Sequence, residues 1–152
     1  MARTAAFDIA IIGAGMAGAS AAFFLAEGRR VLILEREGQP GYHATGRSAA
    51  LYTQAYGNAA IRALTVASKP FFDHPPERFV DAPLLRPRGA LFIARSDQIS
   101  KLEDEARAAQ QFAPNVRLVD AAEARRISPA LRADYIAAGA YEPDAMDIDV
   151  HA

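Results

Sequence analysis

Three glycines, Gly13, Gly15 and Gly18, stand directly after a run of apolar residues and at the head of a run of helix formers. That junction constrains the fold more than any other part of the chain. Five of the six residues in 7–12 are apolar, the pattern of a strand buried on both faces of a parallel sheet. Residues 17–27 hold no proline and favour a helix. Gly13 permits the tight turn out of the strand, and Gly15 leaves room for a phosphate where any Cβ would intrude. Gly18 lets the helix pack closely on the strand. The free N–H groups and positive dipole end of such a helix stabilise a diphosphate. Glycines at this spacing are a weak signal alone, and their surroundings strengthen it. Gly28 lies just past the helix, where a left-handed cap is wanted, and Val31–Leu34 reads as a second buried strand. Glu35 follows, where an acid accepts hydrogen bonds from an adenosine ribose. Strand, turn, helix, strand and acid occur in the order a dinucleotide site requires. The plainer alternative is an ordinary βαβ unit with a Gly-rich turn. Glu35 also disfavours a 2′-phosphorylated nucleotide, whose charge it would repel.

Composition removes several function classes. A formal net charge of −1 offers no clustered basic face for nucleic acid. No apolar stretch is long enough to span a bilayer, and a cytoplasmic enzyme is expected. Arg3 ahead of an apolar run resembles a signal peptide, but that run carries Asp8 and the glycine turn, so cleavage would destroy the site. The chain has no cysteine, hence no disulfide, thiolate chemistry or cysteine metal site, and its redox compartment stays open. His43, His74 and His151 are scattered without metal-ligand spacing, and no metal is expected.

After Glu35, residues 36–51 read REGQPGYHATGRSAAL, rich in glycine and small polar residues. Thr45, Gly46, Arg47 and Ser48 there suit phosphate oxygens or a polar ring edge, and residues 48–51 are expected to open a short helix. Asn58 can cap a helix to about Phe72 with Ile61, Leu64 and Phe71 on one face. Pro70 is expected to kink or end it early. Residues 75–87 read as an irregular connection and 89–94 as a strand. Ser96 or Asp97 is expected to cap a helix through Phe112, with Ile99, Leu102, Ala106 and Ala109 on one stripe and Glu103 and Glu105 on a solvated face. Residues 116–119 and 135–141 read as strands, and Asp120 with Glu123 as a capping box on a short helix before Pro129. Residues 147–152 look like the cap and first turn of a helix that does not continue. Since one βαβ half covers only part of a nucleotide-binding sheet, the chain reads as the N-terminal part of a longer enzyme. There is no internal repeat.

Three stretches resemble one family: GAGMAG at 13–18, LEREGQPGYHATGRSAA at 34–50 and YEPDAMDID at 141–149. They are similar to the FAD-dependent D-amino-acid oxidase and dehydrogenase (DAO) family, which includes glycine and sarcosine oxidases. The middle stretch is most similar to the bacterial D-arginine dehydrogenases within it. The resemblance implies an α/β fold, with a Rossmann-like FAD-binding domain over about residues 1–75 and the start of a mixed α+β substrate domain over about 76–145. It implies that Gly13, Gly15, Ala17 and Gly18 hold the FAD pyrophosphate, Glu35 the adenosine ribose, and that Arg36 flanks the adenine. Ala44, Thr45, Gly46, Arg47, Ser48, Ala49, Ala50 and Leu51 would wrap the flavin end. Tyr56 would sit on a mobile loop near the substrate, beside Leu51 and Ala90, or else be an aromatic packed under that loop. Two residues depart from the family pattern: Leu51 stands where close relatives carry a polar residue, and Ala145 where a glycine is usual.

The chemistry so implied is hydride transfer from the α-carbon of a D-amino acid or related amine to FAD, with the imino acid hydrolysing to a keto acid and ammonia. The arginine that clamps the substrate carboxylate lies beyond residue 152 in this family, and the chain offers no confident general base, so the catalytic residue is unknown. His43 falls where some relatives attach flavin covalently. An NAD-dependent dehydrogenase, or a nucleotide-binding module without turnover, remain alternatives. The electron acceptor, and so oxidase against dehydrogenase, is open. With Leu51 apolar and no acid in the strand at 89–94, neutral apolar D-amino acids are expected to be preferred over D-arginine or D-lysine, unless an acid elsewhere restores a basic preference.

Overall fold

The computed structural model describes residues 6–150, and the chain forms two compact units, Met1–Ala49 and Ala50–Ala152. Arg3, His151 and Ala152 lie outside the described residues.

The first unit is a parallel βαβ element of β1 (Ile9–Ile12), α1 (Met16–Leu25) and β2 (Val31–Leu34). Ile9 pairs with Val31 and Ile12 with Leu34. The first strand starts two residues later than expected, because Asp8 accepts the Arg30 N–H at 2.8 Å and sets where pairing begins. Gly13 donates to the Leu34 carbonyl at 2.7 Å as the chain turns away. Gly28 has φ +69°, two residues beyond the helix cap Ala26. The two-faced burial expected of both strands is not met. Ile12 is 89% and Leu34 51% exposed, and Phe24 on α1 is 67% exposed. Among the described residues this unit has two strands and one helix, too few to cover both faces of the sheet and the far side of α1.

The second unit contains β3 (Leu51–Tyr52), α2 (Ala59–Asp73), β4 (Leu85–Pro87), β5 (Ala90–Ala94), a 3-10 turn (Ser96–Gln98), α3 (Ile99–Ala109), β6 (Arg117–Asp120), α4 (Ala121–Ile127), β7 (Ala138–Glu142) and β8 (Met146–Ile148). They build two antiparallel three-stranded sheets, ordered β3-β8-β4 and β5-β7-β6. The core is small-sided. Ala106 and Ala109 of α3 pack with Ala55, Ala113, Val116 and Ala140, and a second cluster joins Val119, Ala124 and Ile136. The fold is mixed α/β, as expected.

Several local expectations are corrected. Leu51 is in a strand rather than a helix, and the helical turning falls earlier, with Gly46 donating to Gly41 at 2.7 Å and Arg47 to His43 at 3.1 Å. Helix α2 begins at Asn58, whose side chain accepts from Ile61 N–H at 3.1 Å, but it runs through Pro70 to Asp73 without stopping. Proline removes a single donor there, and the last turn is held by the Lys69–Asp73 pair and by ring contacts of Phe72 with Tyr52 and Phe71 with Phe79. Residues 85–87 and 146–148 are strands, since each finds a partner far off in sequence; Pro87 is tolerated at a sheet edge. Asp149 and Val150 are not helical. Helix α3 starts after a turn closed by the Gln98 side chain on Arg95 N–H, not by Ser96 or Asp97, and it ends before Phe112. Asp120 caps α4, while Glu123 turns to Arg117 at 2.7 Å instead of completing the box. Strands β6 and β7 each sit later than expected, at residues 117–120 and 138–142.

Candidate functional site

The glycine turn of the first unit is specified by what a side chain would strike. Gly13 adopts φ +99°, which favours glycine. A Cβ on Gly18 would stand 1.9 Å from the Gly13 carbonyl oxygen and 3.4 Å from Ile11 Cγ2. On Gly15 it would meet Thr45 Oγ1 at 3.3 Å. The loop after β2 closes onto this turn. Glu35 Oε2 accepts the Ala14 N–H at 2.7 Å, Thr45 Oγ1 accepts the Met16 N–H at 2.9 Å, and Gly41 N–H donates to the Ala14 carbonyl at 3.1 Å.

Two first-turn donors of α1, the N–H groups of Ala17 and Gly18, have no acceptor in the chain among the described residues. Helix N-termini leave such donors by construction. Glu35 Oε1 is held by Arg36 N–H at 2.8 Å and Glu37 N–H at 3.0 Å. The N–H groups of Glu37, Ala14 and Arg36 hold its carboxyl below the usual glutamate range, so it stays ionised at neutral pH. Oε2 makes one bond to the chain and retains lone-pair capacity. A bare backbone at Gly15, two free donors and an ionised acceptor fit a dinucleotide cofactor.

The loop side chains fall into two groups. Thr45 is committed to the turn. Arg36 leans on Glu37 at 2.8 Å, and His43 Nε2 lies 2.9 Å from the same carboxylate, which His43 and Arg36 hold below its usual range. Arg47 lies over the Tyr42 ring at 5.4 Å. Ala44 and Gly46 belong to the turning segment, with Ser48 and Ala49 following it. Ala50 takes φ 54°, a left-handed conformation for a non-glycine residue, and its carbonyl accepts from Ile148 N–H at 2.6 Å.

In the second unit a cleft of about 280 Å³ is bounded by Leu51, Thr53, Tyr56, Leu64, Phe72 and Ile148, among others. The structure therefore brings Leu51 and Tyr56 together. It does not bring Ala90 there: Ala90 opens β5 in the other sheet, opposite Glu142. Tyr56 is 67% exposed and not packed under its loop. Apart from that of Tyr56, the hydroxyls along the cleft are spent on the chain itself. Tyr52 donates to the Thr65 carbonyl at 3.1 Å and Ser68 to the Leu64 carbonyl at 2.8 Å. Burial pushes the Tyr52 phenol up, partly opposed by its bond from Gln54. The wall that remains is largely apolar, with no cationic side chain among the described residues that line it.

Two buried charges escaped the sequence reading. Glu142, 1% exposed, accepts from Thr53 Oγ1 and from Gln54 N–H at 2.8 Å. Arg62, 5% exposed, donates Nε to the Ala55 carbonyl at 3.0 Å and pairs with Glu105 at 3.1 Å. Glu105 keeps the solvated position expected of it, with 63% of its side chain exposed, and reaches Arg62 from there. The available signal was an acid ending the apolar run AGAY.

Among the described residues no acid–histidine group could hold a metal ion, and no helix is long and apolar enough to cross a membrane. The first unit is a βαβ glycine turn fitted for a dinucleotide, and a unit of helices and antiparallel sheets follows it in the chain. Residues 8–152 match the model of the family described as DAO, FAD dependent oxidoreductase, and the chain belongs to that family. It is similar to iminodiacetate oxidase from Chelativorans sp. BNC1, at 27% identity and TM-score 0.70, over 93% of this chain and 41% of that one. It shares its fold with glycine oxidase from Geobacillus kaustophilus, at 21% identity and TM-score 0.77, over 95% of this chain and 41% of the other. It does so also with the FAD-bound L-α-glycerophosphate oxidase from Mycoplasma pneumoniae, at 15% identity and TM-score 0.77, over 97% and 40%. The chain spans about two fifths of the length of these structures.

Proposed function

We propose that the protein oxidises the Cα–N bond of an amino acid, with FAD as the first electron acceptor, and that neutral, apolar D-amino acids are preferred. The cradle around Gly15 carries the cofactor half of this reading. In the proposal, Gly13, Gly15, Ala17 and Gly18 bind the pyrophosphate, the last two through their free N–H groups. Glu35 accepts from the ribose and Arg36 flanks the adenine. The run from Ala44 to Leu51 serves the flavin end. When bound, FAD supplies the hydride acceptor, and the imino acid released hydrolyses to a keto acid and ammonia.

The substrate half rests on two supports. Glycine oxidase and iminodiacetate oxidase, by name, act on an amino acid and an imino diacid, and both are similar in fold to this chain. The cleft beside Leu51 and Tyr56 offers apolar walls and no charge, so a cationic side chain would be buried there unpaired. Tyr56 orients the bound amino acid through its hydroxyl, and the apolar wall excludes water. Steady-state kinetics of the FAD-loaded protein on a panel of D- and L-amino acids tests this. Higher kcat/KM for D-methionine and D-phenylalanine than for D-arginine is expected. A preference for D-arginine, or for the L-series, overturns the substrate class.

A second reading is nucleotide binding without turnover, since the described residues lining the cleft include no cation to clamp a carboxylate. FAD retained by the protein without turnover of any panel member would establish it.

A further inference from the structure

We propose that Glu142 is a positioning residue that sets the place of Tyr56, acting with Arg62 as a two-charge clamp on the segment before it. This rests on the reading that Tyr56 borders the substrate. Residues 53–58 have no regular structure, so their backbone groups must find partners outside a ladder. Two nearly inaccessible charged side chains supply them. Glu142, at the end of β7, accepts from the Thr53 hydroxyl and the Gln54 N–H. Arg62, on α2, donates to the Ala55 carbonyl, and its far nitrogen is fixed by Glu105. Three consecutive residues are thereby tied down from two separate elements.

Tyr56 comes next and is the first residue of the segment to project freely, at 67% exposure. Beyond it, Gly57 takes φ +85° and Asn58 is locked as the cap of α2. Tyr56 therefore hangs between two fixed points one residue behind and two ahead. Its reach into the cleft is set by the clamp, since no hydrogen bond of its own hydroxyl holds it among those described. A buried carboxylate is costly unless several donors satisfy it. Glu142 meets that condition by spending its oxygens on this segment, 89 residues away along the chain.

The test compares Glu142→Met, which keeps length and removes both acceptors, with Glu142→Gln, which retains one, in the FAD-loaded protein. Chymotrypsin cleavage after Tyr56 reports the segment directly, and cleavage after the half-exposed Tyr135 reports general loosening. For Glu142→Met, cleavage after Tyr56 is expected to rise about tenfold, with KM for the amino acid rising similarly and kcat within about twofold. Cleavage after Tyr135 and the flavin absorption stay as they were, and Glu142→Gln recovers most of the loss. Thr53→Val, with Thr53→Ser as its rescue, gives the same pattern at smaller size and serves if Glu142→Met does not fold. Unchanged cleavage after Tyr56, or equal acceleration at Tyr56 and Tyr135, overturns the clamp. Faster cleavage after Tyr56 with unchanged KM overturns the placement of Tyr56 at the substrate and the positioning role with it, and leaves the FAD cradle untouched.

Discussion

The two units solve the same problem of fixing a site by opposite means. In Met1–Ala49 the only buried apolar residue among those described is Ala22, and Ile12, Phe24 and Leu34 face outward. What holds the site is the Gly13 turn and two backbone donors, the N–H groups of Ala14 and Met16, each met by one side-chain acceptor, Glu35 and Thr45. In the second unit, side chains do the fixing. Alanines and valines close the core, and the charges of Glu142 and Arg62 hold an irregular segment against it. A turn made of backbone takes no added atom at Gly18, where a Cβ would strike the Gly13 carbonyl oxygen. A site made by packing and clamping gives way gradually as contacts are removed.

The sharpest way to break this contrast is Gly18→Ala. With the Gly13 carbonyl 1.9 Å from the added methyl, the turn must open, and FAD affinity is expected to fall about 100-fold or more. Flavin fluorescence titration measures it. Near-native affinity would mean that the turn merely connects two elements.

Glu35→Gln is next. It removes the charge but keeps the shape, and FAD should bind roughly tenfold more weakly. The same carboxylate gives a pH signature. Its value in the folded protein lies below that of the unfolded chain, so its contribution is fully present above the ordinary glutamate range and is lost as pH falls through the lowered value. FAD retention after gel filtration is therefore flat from neutral pH down to about 5 and declines only below the ordinary range. A decline beginning near neutrality would assign the control to another group.

Asn58→Ala tests the second unit alone. Loss of the cap on α2 should cost about 1 kcal/mol in denaturant unfolding without changing FAD affinity. The smallest effect is expected from Ala50→Gly. A residue at φ 54° suits glycine better than alanine, and relief of that strain should outweigh the added chain entropy by about 0.5 kcal/mol. Loss of FAD binding in Asn58→Ala as large as in Gly18→Ala would erase the distinction between the units.

What the sequence disclosed follows the same divide. The glycine turn, Val31–Leu34 and the Asn58 cap were legible because each is decided within a few residues, by steric room, apolar run or a capping side chain. The grip of Thr45 on Met16 N–H was not, since a threonine in a glycine-rich loop suits a ligand equally well. Leu85–Pro87 and Met146–Ile148 were read as loop and helix start. Their strand character comes from each other and from Leu51–Tyr52, and no local pattern encodes it. Glu142 and Arg62 escaped because a charge in an isolated sequence looks solvated until its distant donors and acceptors are known.

Strand β8 sits between β3 and β4 and is the neighbour of both. During synthesis, Leu51–Tyr52 and Leu85–Pro87 leave the ribosome with no strand to pair with, and their partner arrives only with Met146–Ile148. Closing so long a loop costs conformational entropy before any contact repays it, so completion of this sheet is a late and slow event. The parallel βαβ element closes over a short span and can form first. The glycine turn and the free donors of α1 are then in place while the cleft bearing Tyr56 is still open.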